Sequence, residues 1–124
     1  MGTKVIPAKK LLRDAAKYLR TRGVWTKGTL RNEKGQVCAL GAIYHVAGTP
    51  LHGENPDHWK PHDFNSGKLP RAQIVEIDKA SAALDDIVED RTNGSECCIE
   101  EYNDRPGIRK SQVVEVIEKA AEQV

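Results

Sequence analysis

The chain has 124 residues, a length that fits one domain with a core of its own. It is 39% apolar and 30% charged with a net charge of +1, and no apolar run reaches the roughly 18 residues of a membrane span, so no membrane-spanning helix is expected. The near-neutral total hides an asymmetry: residues 1–34 hold ten Lys/Arg and two Asp/Glu, whereas residues 35–124 hold nine and sixteen. Such halves either attract one another or face different partners. We expect attraction, within the chain or between two copies.

The opening Met1-Gly2-Thr3-Lys4-Val5-Ile6-Pro7 lacks the apolar stretch of a secretory signal. Ile6 stands where a myristoylation site needs Ser or Thr. With three cysteines, an odd number, this points to free thiols in a reducing cytoplasm.

The first predicted element is a helix from Pro7 to Arg22. Ala8, Leu11, Leu12, Ala15, Ala16 and Leu19 recur at the spacing of one helical face. Pro7 suits the first helical position, and Gly23 a left-handed position after the end. Lys9, Arg13, Lys17 and Arg20 form a basic stripe on another face.

Trp25 to Val37 reads as extended chain that turns back at Asn32-Glu33-Lys34-Gly35, a minor extended or hairpin element. Trp25 and Gly28 read as an aromatic anchor and a tight turn. Val37 to Ala47 is apolar almost throughout and predicts a short, central helix, with Cys38 at its start. Residues 49–70 show no periodicity. Pro50, Pro56, Pro61 and Pro70 break any helix, and the segment carries Trp59 and three of the four histidines. A connection this long in a small domain is usually functional or mobile.

Arg71 to Thr92 predicts a second long helix. Its apolar face is Ile74, Ile77, Ala80, Leu84, Ile87 and Val88, and Asp78, Asp85, Asp86, Glu89 and Asp90 make the remainder acidic. Cys97 to Tyr102 reads as a short strand or loop, and Asn103-Asp104-Arg105-Pro106-Gly107 as a dense turn. Ser111 is the expected N-cap of a last helix whose face is Val113, Val116, Ile117, Ala120 and Val124. The fold expected is therefore mainly α: one compact bundle of about four helices over residues 1–124, with an irregular loop at 49–70.

Three motifs stand out: Trp25-Thr26-Lys27-Gly28, Val37-Cys38-Ala39-Leu40-Gly41-Ala42 and Tyr102-Asn103-Asp104-Arg105-Pro106-Gly107. With an amphipathic helix on either side, their order resembles a domain-of-unknown-function family of small proteins from actinobacteria and their bacteriophages. The resemblance covers most of the chain outside 49–70. It implies a phage or actinobacterial origin and supplies no activity. That family would have Trp where Tyr102 stands and no residue like Val24 ahead of Trp25.

A helix N-terminus favours a thiolate, so Cys38 is the best candidate nucleophile. His45 lies seven residues on, about 10.5 Å along a helix, too far to act as its base. The base would be His52, His58 or His62, oriented by Asn103 or Asp104. The competing reading, a small buried cysteine packed between helices, is preferred. His58 and His62 have ligand-like spacing, but Cys97-Cys98 is not a metal signature, and no metal or cofactor is expected.

The function expected is a non-enzymatic interaction module that binds a host or phage protein, or itself, in the cytoplasm. Its contacts would involve Trp25, Trp59, Tyr102, Asn103, Arg13, Lys17 and Arg20. A small cysteine enzyme is the first alternative. Nucleic-acid binding by the basic stripe is the second, without a recognised reading module to support it.

Overall fold

The structure is a computed structural model that describes residues 5–27, 36–47, 70–96 and 98–124. Five helices are present among them: α1 (Ala8–Arg20), α2 (Ala39–Val46), α3 (Arg71–Arg91), α4 (Ile99–Asn103) and α5 (Lys110–Gln123). None is long and apolar enough to cross a membrane. The mainly helical expectation holds, with one helix more than the sequence pattern shows.

The core forms where the apolar faces converge. All six residues assigned to the α1 face are buried. α1 packs most extensively on α5 and then on α2, while α3 packs on α5. Leu11, Leu12 and Leu19 of α1, Ile43 of α2, Leu84 of α3 and Ile117 of α5 are fully buried. Each contributes on the order of 1.5–3 kcal/mol of burial. α2 is enclosed nearly all round except at His45, whose ring stacks on Tyr18 of α1 at 4.2 Å between centroids.

The helix ends depart from the sequence reading in instructive ways. Pro7 is the N-cap of α1 rather than its first residue. The Ala8 N–H then donates to Glu76 Oε1 on α3 at 3.0 Å. Gln73, buried in the first turn of α3, accepts from the Ile6 N–H at 2.8 Å and donates back to the Ile6 carbonyl at 3.0 Å. Gln73 thus takes the core position expected of Ile74, which is only half-buried. α3 ends at Asn93 and Gly94, whose φ of +53° and +83° bring the Gly94 N–H back to the Glu89 carbonyl at 2.9 Å.

Ser111 lies inside α5, and Arg109 is the N-cap. The Arg109 N–H donates to Gln112 Oε1 at 2.9 Å, so the glutamine three residues on does the capping. Val124, expected on the buried face of α5, is 41% exposed.

Two irregular segments are also corrected. The chain expected as strand or loop before Tyr102 contains the one-turn helix α4. Among the described residues the extended element shows one bridge, between Trp25 and Val37, and it is parallel, so these two residues are not partners in a hairpin. Val37 donates to the Val24 carbonyl and accepts from the Thr26 N–H. The turn at 32–35, Gly28 and residues 49–69 of the expected loop lie outside the described residues, and Pro70, at its end, is the N-cap of α3.

Candidate functional site

The three sequence motifs meet at Asn103, the last residue of α4, which is fully buried. Its Oδ1 accepts from the Trp25 indole N–H at 2.8 Å and from the Ala39 N–H, the first of α2, at 3.1 Å. Its Nδ2 donates to the Thr26 carbonyl at 3.1 Å and to Asp104 Oδ1 at 3.2 Å. A buried amide with both ends bonded is a joint, not a free reactive group. The Lys27 ammonium lies 5.7 Å from the Trp25 ring and donates to the Arg105 carbonyl at 2.8 Å, tying the first motif to the turn of the third. That turn closes as expected, with Gly107 at φ +79°.

Cys38 is the N-cap of α2, and its Sγ accepts from the Gly41 N–H at 3.3 Å. The helix terminus does pull the thiol down, through the Gly41 and Leu40 N–H groups. Burial outweighs that pull, and with the negative charges of Asp104 and Glu100 it pushes the thiol up to about 11. At neutral pH Cys38 is a protonated, 5% exposed thiol. His52, His58 and His62, the bases expected for it, and Trp59 lie outside the described residues.

The other candidates divide between interior and surface. Tyr102 is buried, so with Asn103 it holds the fold rather than presenting a face. Trp25 is half-buried, and Asp104 is exposed beside Asn103. Arg13 and Lys17 are exposed on α1. Arg20 pairs with Glu118 of α5 at 2.6 Å. Within one chain the acidic face of α3 is therefore not what meets the basic stripe: no ion pair joins α1 to α3 among the described residues.

Sequence reasoning missed Asp85 as a capping residue. Its carboxylate on α3 accepts from the Ile99 N–H at 2.9 Å and so starts α4. Burial, opposed by that bond and reinforced by Asp86, raises its pKa. Burial likewise raises Glu100, with Asp85 adding to it. The Cys98 thiol nearby is pushed up to about 12, first by burial. Each shift is upward, the direction opposite to activation, so the Cys98 thiol is no activated nucleophile. Among the described residues no group of three or more His, Cys, Asp or Glu is placed to hold a metal. Gln73 was also missed, although its signal was present: 73, 77, 80, 84 and 87 share the buried face at alternating steps of four and three.

The family model described as "Family of unknown function (DUF6197)" matches residues 3–123. No curated protein and no solved structure matched the chain.

Proposed function

This chain belongs to the family of unknown function DUF6197, and we propose that it is a non-enzymatic interaction module that binds another protein or a second copy of itself. The observation that carries the reading is the Asn103 joint. The three motifs that looked most like chemistry are drawn together there, and both polar atoms of the asparagine are used inside the fold. A high thiol pKa at Cys38 points the same way. What remains for recognition is the charged surface. The two motif blocks Cys38-Ala39-Leu40-Gly41-Ala42 and Asn103-Asp104-Arg105-Pro106-Gly107 further support an actinobacterial or phage origin, with the partner a host or phage protein in the cytoplasm.

The test is a pull-down from an actinobacterial lysate at low and high salt, with and without nuclease. The reading expects a nuclease-resistant protein partner or self-association. Retention that disappears with nuclease would replace it by nucleic-acid binding. Rapid, selective labelling of Cys38 by a thiol reagent at neutral pH would replace it by the cysteine-enzyme alternative.

A further inference from the structure

Two oppositely charged helix faces are left without partners. On α1, Lys9, Arg13 and Lys17 fall within about 80° of arc and make no ion pair among the described residues. On α3, Asp86, Glu89 and Asp90 are exposed at i, i+3 and i+4, and they too have none. These three carboxylates border a surface depression of about 500 Å³ that runs to Asn93 and Gly94. It lies at the C-terminal end of α3, where the helix dipole favours a cation. The two faces adjoin at one groove of about 540 Å³, which Lys9 and Asp86 both line, with Ala8, Ala83 and Val124 among its apolar lining.

Within one chain α1 reaches α3 through its first turn, where Ala8 is bonded to Glu76 and Ile6 to Gln73. That contact uses neither charged face. We propose that the chain pairs with a second copy of itself, the basic face of α1 of one protomer lying against the acidic face of α3 of the other. This rests on the interaction-module reading and names its partner.

A two-fold arrangement forms both contacts at once, since each protomer carries both faces. It also covers the apolar groove between them. A second copy fits better than a nucleic acid. A phosphate backbone laid along α1 would meet the α3 carboxylates across the groove, and a net charge of +1 gives little long-range attraction for a polyanion.

The experiment is sedimentation of the purified full chain at low and high salt, with two charge-reversed variants. Wild type should be dimeric at about 10 mM salt, where the screening length is about 30 Å, and shift to monomer at 1 M, where it is about 3 Å. Lys9→Glu/Arg13→Glu/Lys17→Glu and Asp86→Lys/Glu89→Lys/Asp90→Lys should each be monomeric at low salt. Mixed in equal amounts, they should form a heterodimer, because each supplies the charge the other lost. The substituted positions lie on the surface, so circular dichroism should report intact helices. The milder pair Arg13→Glu and Glu89→Lys repeats the test if a triple variant fails to fold.

Wild type monomeric at low salt, or a mixture that stays monomeric, would overturn the proposal. So would loss of random-duplex DNA binding on reversal of the α1 face, which would make that face a phosphate-binding surface. A monomer that still retains a nuclease-resistant protein from lysate would sink the self-pairing alone and leave the module reading standing.

Discussion

The Trp25 indole N–H donates to Asn103 Oδ1 at 2.8 Å, joining positions 78 residues apart. The same oxygen holds the first N–H of α2, so one buried amide fixes the chain after α1, the start of α2 and the end of α4. Asn103→Ala would leave the Trp25 and Ala39 donors unpaired. It should destabilise by at least about 2 kcal/mol in urea unfolding, since each unsatisfied buried group costs about 1–3 kcal/mol. A loss below about 0.5 kcal/mol would show that solvent or neighbours replace the joint.

Cys38 should behave as a structural cap. Its thiol should react slowly in the native protein and at ordinary speed once unfolded. Because burial raises its pKa in the fold to about 11 from an ordinary value of 9.0, its contribution is complete below about pH 9. Stability should then fall as the pH climbs from 9 toward 11, where the unfolded thiol ionises and the folded one does not. Cys38→Ser keeps an acceptor for the Gly41 N–H and should remove that part of the alkaline loss, while changing stability at pH 7 by about 1 kcal/mol or less. An unchanged alkaline limb in the serine variant would assign the effect to other groups.

Glu76 carries the opposite sign. The Ala8 N–H, then Lys79, lowers its pKa below the usual 4.5. Its stabilising bond is present above that range and is lost as the pH falls through the depressed folded value. Glu76→Gln keeps the acceptor without the charge, so the acid limb of the stability profile should flatten. If wild type and variant lose stability in parallel on acidification, the cap to α1 is not charge-assisted.

Asp85 separates capping from charge. Asp85→Ala removes the acceptor at the start of α4 and should cost about 1 kcal/mol. Asp85→Asn keeps it. Burial raises the folded pKa above 3.8, so wild type should lose stability relative to Asp85→Asn as the pH rises from that value through the folded pKa, and no further above it. The comparison is urea unfolding of the three proteins between pH 3 and 7. An asparagine variant as weak as the alanine one would mean that the carboxylate, not the cap, is what α4 needs.

Much of the architecture could be read from spacing. The six apolar positions of α1, the nearly uncharged run of α2 and the apolar stripes of α3 and α5 are local patterns, since a helix buries residues at fixed steps along its own sequence. The turn at Asp104–Gly107 and the end of α3 at Asn93-Gly94 were legible for the same reason: they depend on the backbone preferences of the residues that form them. The three motifs were recognisable one by one.

Only the tertiary structure decided what those motifs do. α4 spans five residues, too few to show a period, and the carboxylate that starts it comes from Asp85 on another helix. Spacing puts Gln73 on the buried stripe of α3, but only the fold brings up Ile6, which supplies both its hydrogen-bond partners. The ionic partner of Arg20 is Glu118 rather than the acidic face of α3, a choice set by which helix lies beside α1. Cys38 shows the physical reason most clearly. Sequence placed it at a helix start, which lowers a thiol pKa, while the desolvation that raises it depends on the neighbours the fold assembles around it. Periodicity is a property of consecutive residues. Burial and hydrogen-bond satisfaction belong to residues tens of positions apart, and no local pattern contains them.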